Sequence, residues 1–224
     1  MIPLMSTLTH PMFGDFTPGQ LQGMVAWYPY NRGITVAGAG VSVWADQSGE
    51  GNDLLQATDS NRPSKESDGS ILFDGVDNYL KTEAFTLNQP TTVYLLAKQA
   101  TWTNGEPMCD GGSSNSGMIR QTGTTPTIGL YAGISTALNT DLILDTYSVI
   151  IGIFNGASSA LQINNNAETT GNAGANNMGG VTVGSKGGAT NYSNFQFKEV
   201  IVYNTAHDDI TRTKVINYLN LVGG

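Results

Sequence analysis

Apolar runs of strand length, each cut off on both sides by turn residues, recur along this chain and leave little choice of fold. "TTVYLLAKQ" (Thr91–Gln99) sets Val93, Leu95 and Ala97 against Tyr94, Leu96 and Lys98, so it is apolar on most of both faces. A strand of that kind must be covered on both sides and is predicted to lie at the centre of a sheet. "TYSVIIGIF" (Thr146–Phe154) reads the same way, and "SALQINN" follows it across "NGAS" as a hairpin partner. Gly is abundant, at 28 of 224 residues, and charged residues make up only 12%. A low-charge chain rich in turn formers and β-branched residues points to many short strands joined by tight loops.

Further strands are expected at Met24–Tyr30, Val41–Ala45, Asp53–Ala57, Ile71–Phe73 and Tyr79–Thr82. "MIRQT" and "TIGLYA" are expected to pair across Gly123–Pro126, and "VTVGS" and "FQFKEVIVYN" to close the β part. "HDDITRTKVINYLNLVGG" differs. Asp208 is a candidate N-cap, Asp209 suits the first turn, and Val215, Leu219 and Val222 share a helical face. The predicted architecture is all-β, a two-sheet antiparallel sandwich with one short C-terminal helix. Residues 16–224 form the domain and residues 1–15 an arm, with no second domain.

Ten basic against 18 acidic side chains give a net charge of −8 without a Lys/Arg cluster. Nucleic acid and anionic membrane surfaces are therefore not expected partners. No run of about 18 apolar residues is present to cross a bilayer as a helix. The opening "MIPLMSTLTHPMFGDF" lacks a basic segment and is broken by Pro3 and Pro11, so a secretory signal is not expected. Ile2, Leu4, Met5, Leu8, Met12 and Phe13 are costly to leave in water. The arm either packs on its own domain or docks on a neighbour. Cys109, the only cysteine, reads as a small buried apolar residue.

Four segments in order carry a resemblance: "FTPGQLQGMVAWYPY", "VSVWADQSGEGNDLLQATDSNRPS", "ILFDGVDNYL" and "FKEVIVYNTAHDDITRTKVINYL". Together they resemble the concanavalin A-like, laminin-G-like jelly-roll modules of the lectin/glucanase superfamily. The likeness runs from Phe16 to Val222, by motif at both ends and by pattern alone over 100–194. It implies two antiparallel sheets packed face to face. It does not imply one function, since that fold carries lectins, glycosidases, adhesion modules and virion proteins.

Chemistry-bearing candidates are few. In the loop after Trp44, Asp46, Ser48, Asn52 and Asp53 offer closely spaced oxygens, and Asp74 and Asp77 of "FDGVDNY" offer more. The set reads either as a folding element built from Asx turns or as a Ca²⁺ site, the one cofactor the sequence brings up. Glycosidases of the superfamily carry Glu-x-Asp-x-x-Glu on one strand face. Here Glu199 and Asp145 each stand alone, so an enzyme is not expected. A lyase-type basic pocket would have to draw on Arg120, Tyr131 and Lys198. For carbohydrate, Trp102, Tyr131 and Tyr192 near polar turns form a candidate aromatic platform, and the Asn-rich segment 164–180 is a long polar loop next in line. Trp27 and Trp44 are expected in the core. The expectation for function is a non-catalytic structural or binding module. Its first form is a bacteriophage virion protein (capsid decoration or tail appendage) made in the host cytoplasm. There the arm would contact other virion subunits or a second copy, and the loops cell-surface glycans. The alternatives are an extracellular lectin module and a polysaccharide-degrading enzyme.

Overall fold

The computed structural model describes residues 16–188 and 190–223; the arm, residues 1–15, lies outside the described residues. The strands run in chain order as β1 (Met24–Tyr28), β2 (Ile34–Ala37), β3 (Gly40–Trp44), β4 (Leu54–Leu55), β5 (Ser64–Lys65), β6 (Ile71–Leu72), β7 (Leu80–Lys81), β8 (Thr91–Gln99), β9 (Pro107–Asp110) and β10 (Met118–Gln121). Then follow β11 (Ile128–Tyr131), β12 (Ser135–Asn139), β13 (Ser148–Phe154), β14 (Ser159–Ile163), β15 (Thr169–Gly171), β16 (Thr182–Val183), β17 (Ser185–Lys186), β18 (Thr190–Tyr192), β19 (Phe195–Tyr203) and the helix α1 (Asp209–Gly223).

The most apolar strands pair with one another, as their two-sided burial requires. β8 sits between β13 and β19, and the first sheet runs β15-β14-β13-β8-β19-β6-β5, with β1 also paired to β19. The second sheet runs β12-β11-β10-β9-β16-β7-β4-β3-β2, and β17-β18 form a small ribbon. Every pairing is antiparallel. The fold is the two-sheet sandwich predicted from the sequence.

Alternation along β8 divides the apolar side chains between two cores. Val93, Leu95 and Ala97 enter the core between the sheets, with Trp44, Phe73, Ile119, Leu130, Phe195 and Phe197. Tyr94 and Leu96 point the other way, into a second core on the outer face, with Val149, Ile151, Ile201 and Tyr203. Helix α1 closes that face with Val215, Ile216 and Leu219. Each such side chain contributes about 1.5–3 kcal/mol of burial. The Thr211 amide donates to Asp208 Oδ1 at 2.8 Å, which is the expected cap.

Two glycines mark places where a side chain would not fit. A Cβ on Gly152 of β13 would lie 2.8 Å from Ile119 Cδ1, so the sheets approach closely there. Gly184 has φ +85°, and a Cβ there would lie 2.1 Å from Phe73, which is why "VTVGS" breaks into β16 and β17.

Boundaries moved for local reasons. The first strand stops at Tyr28 because Pro29 has no N–H for the ladder. β13 starts at Ser148, since Asp145 holds a left-handed turn at φ 55°. The segment 164–180 is not one loop: Thr169–Gly171 pairs with β14.

In β19 the register shifts between Phe197 and Glu199. Phe195, Phe197, Val200 and Val202 stay in the central core. The extra residue lets Lys198 and Glu199 both leave that core on the helix side.

Candidate functional site

The loop after Trp44 is a hydrogen-bonded staple. Asp46 Oδ1 accepts from the Trp27 and Ser48 amides, both at 2.8 Å. Its Oδ2 accepts from Ser48 Oγ at 2.7 Å and the Asn52 amide at 3.0 Å. Asp53 Oδ1 accepts from the Asp46 amide at 2.8 Å, and Asn52 Nδ2 donates to the Val25 carbonyl at 2.8 Å. These bonds tie β1 of the first sheet to the β3–β4 connection of the second. Asp74 is occupied in the same manner, its Oδ1 accepting from the Val76 amide at 2.9 Å and the Asp77 amide at 3.3 Å. Among the described residues no three His, Cys, Asp or Glu side chains converge as a metal-ligand set, so Asp46, Asp53, Asp74 and Asp77 do not form the single cluster entertained from the sequence.

The three aromatic candidates occupy different places. Trp102 is half-buried against the central core, its indole donating to the Gly123 carbonyl at 3.1 Å in the β10–β11 turn. Tyr131 stands at the far end of that hairpin, opposite Met118. Tyr192 belongs to the β17–β18 ribbon and tilts against Tyr79, with ring centroids 6.3 Å apart. The one platform expected from Trp102, Tyr131 and Tyr192 is thus split.

What the fold does bring together is Tyr131, Arg120 and the Asn-rich segment. The Arg120 guanidinium lies over the Tyr131 ring, 5.2 Å from its centroid, and donates to Ser135 Oγ at 3.0 Å. Its Nε is buried and meets no acceptor among the described residues. Just past Tyr131, the Ala132 amide donates to the Ala173 carbonyl at 2.6 Å, and the Asn176 amide donates to the Ala132 carbonyl at 2.9 Å. Asn176 Nδ2 donates to the Asn115 carbonyl at 3.1 Å, which joins "GGSSNSG" to the same end of the sheet.

Both loops are held from within. Asp110 accepts from the Gly111, Asn115, Ser116 and Gly117 amides. Burial pushes its carboxyl above the usual range, and those four donors pull part of the way back. Gln89 clips the other loop, donating to the Gly174 carbonyl at 3.0 Å and the Asn176 carbonyl at 2.8 Å. Asn172, Asn176 and Asn177 remain exposed on a fixed backbone.

A concavity of about 460 Å³ lies on the helix side between β1 and α1. Trp27, Tyr30 and Tyr218 wall it around Glu199. Glu199 Oε1 accepts from the Trp27 indole at 2.7 Å and Oε2 from the Tyr30 amide at 3.3 Å. Burial pushes this carboxyl up, against the indole, the Tyr30 amide and the Tyr218 hydroxyl. Trp27 is therefore not the core residue expected from the sequence, whereas Trp44 is fully buried. Lys198 Nζ donates to the Gly223 carbonyl at 3.0 Å and lies over the Tyr147 ring at 4.3 Å. It is on the first sheet and Arg120 and Tyr131 on the second. Glu199 was visible in sequence only as a lone acid in an apolar strand; its indole partner lies 172 positions away.

No protein-family model and no curated protein matches the chain. Solved structures do. Trypanosoma rangeli sialidase in complex with sialic acid superposes with TM-score 0.60 at 14% identity, over 90% of this chain and 34% of the sialidase. A mutant GH54 α-L-arabinofuranosidase superposes with TM-score 0.63 at 12% identity, over 90% of this chain and 60% of that one. The binding domain of Paraclostridial Mosquitocidal Protein 1 gives TM-score 0.59 at 11% identity, over 88% and 52%. The chain thus spans about a third of the sialidase and at most 60% of these neighbours. The likeness is one of fold, a β-sandwich that occurs within glycosidases and binding proteins.

Proposed function

We propose that the chain is a non-catalytic binding module that takes a saccharide at the Tyr131 end of its second sheet. The observation that carries this reading is the Arg120 guanidinium stacked on Tyr131, its Nε without a partner among the described residues, beside two pinned loops, one of which exposes Asn172, Asn176 and Asn177. A sugar offers an apolar C–H face to a ring and hydroxyls to guanidinium and amide groups. A buried donor without a partner calls for one, and loops fixed by Asp110 and Gln89 lose little entropy on binding. The non-catalytic part is supported by the two buried carboxyls. Asp110 and Glu199 both spend their carboxylate oxygens on donors of their own chain, which keeps them from serving as the free acid and base of a hydrolase pair.

The test is a glycan array with the full chain, repeated with Tyr131→Ala and Trp102→Phe. Binding is expected to fall at least tenfold in Tyr131→Ala and to persist in Trp102→Phe, with no reducing ends released from any bound polysaccharide. Release of product, or binding indifferent to Tyr131, overturns the reading. A second reading, a bacteriophage virion subunit, is favoured by the apolar residues among 1–15, which would then engage another subunit. Sedimentation of the chain with purified particles supports it, and a chain that stays free of them opposes it.

A further inference from the structure

We infer that the Tyr131 end of the second sheet selects a saccharide that carries a carboxylate, with Arg120 as the residue that reads it; the inference rests on the saccharide reading above. Arg62, Lys98 and Arg212 each meet a carboxylate of their own chain, on Asp59, Asp145 and Glu168 in turn. Arg120 forms no ion pair among the described residues. Its partners are the Tyr131 ring and the Ser135 hydroxyl, both neutral. The end of the guanidinium that reaches Ser135 Oγ is exposed. A guanidinium held over a ring keeps N–H groups at its edge for a further partner.

The segments around it bring no acid. Residues 111–140 supply the β9–β10 loop, β10, β11 and β12, and Arg120 is their only charged side chain. Residues 169–185, which carry Asn172, Asn176 and Asn177 to the same end, hold no charged side chain. Asp110, just before the first run, is fully buried and spends its oxygens on four amides of its own loop. The net charge of −8 comes from acids elsewhere in the chain. Exposed charges are largely screened beyond about 8 Å at physiological salt, so the sign a ligand meets on contact here is that of Arg120. A sugar hydroxyl gives a guanidinium one acceptor. A carboxylate gives two, at the spacing of paired N–H groups, and charge-assisted bonds are about twice as strong as neutral ones. The exposed asparagine amides then serve the ring hydroxyls.

Matched pairs of glycans test this on the full chain. Each uronate-bearing oligosaccharide is presented beside the same oligosaccharide with its carboxyls reduced to hydroxymethyl groups. The acidic member is expected to bind at least tenfold tighter. Raising NaCl from 50 to 500 mM should weaken it several-fold while leaving the neutral member unchanged, a reading that needs no variant. Arg120→Gln is expected to abolish the preference, and Arg120→Lys, which keeps the charge without the fork, to retain only part of it. Equal binding of the two members overturns the inference and leaves the saccharide reading standing. Binding to neither member of any pair, with neutral glycans also unbound, overturns both. A preference that survives Arg120→Gln in a folded chain places the anion elsewhere and overturns the role of Arg120. Tighter binding of sulfated glycans than of uronates contradicts the carboxylate.

Discussion

At Asp46, one carboxylate satisfies four part-buried donors. Asp46→Asn keeps the size but turns one acceptor into a donor facing donors. A stability loss of about 2–4 kcal/mol is expected, since hydrogen bonds to charged groups contribute about 1.5–3 kcal/mol each and are not additive. Denaturant unfolding measures it, and a loss under about 1 kcal/mol would contradict the staple. The same melt with Ca²⁺ and with a chelator should give one midpoint, because a cation bound only to the folded state would raise it. His207 offers a second check. Its ring is buried against Tyr94, whose hydroxyl lies 2.8 Å from Nδ1, and burial lowers its pKa to about 4. Between that value and the ordinary 6.5 the unfolded chain binds the extra proton. Stability from this group is therefore present above pH 6.5 and lost as pH falls toward 4. Glu199 and Asp110, whose carboxyls are raised, act in the opposite sense, so the group is best followed by NMR of the His207 ring. A midpoint near 4 is expected, and one at 6 or above contradicts the burial. The turn chemistry of Asp46 was legible in the sequence, because Asp, Ser, Asn and Gly declare it locally. Its bond to the Trp27 amide, 19 residues earlier, was not.

Strands with strong patterning were found where the sequence put them, and weakly patterned ones were not. β8 matches its expected range because both of its faces are apolar. β2, β5, β9, β12, β15 and β18 were not expected. They are short, and most carry Thr, Ser, Asn, Gly or Pro among few apolar residues, so their conformation is set by the neighbour that pairs with them rather than by their own residues. The bulge in β19 could not be foreseen from composition, yet it sends Glu199 to the cleft. Close packing between elements gives a direct prediction. Gly152→Ala places a methyl 2.8 Å from Ile119 Cδ1 across the sheets and should cost about 1–3 kcal/mol. Gly19→Ala, with nothing within 4 Å, should be nearly neutral. Equal effects of the two in thermal unfolding would mean that the sheets are not in the contact described.

Across the whole molecule, the two outer faces of the sandwich are built differently. One face of the first sheet is sealed by α1 and leaves the cleft beside Phe16. At its Tyr131 end the second sheet gathers two Asn-bearing loops around a stacked arginine. Sequence reasoning had named Tyr131, Arg120 and the Asn-rich segment separately; only the β10–β11 register and the Ala132–Ala173 pairing join them. The most direct measurement is an NMR titration of the isotopically labelled full chain with the best-bound glycan from the array. Shifts confined to residues 111–117, 120, 131–135 and 172–178 are the predicted result. Shifts centred on Trp102 or on Trp27 and Tyr218, or none at saturating glycan, would contradict it.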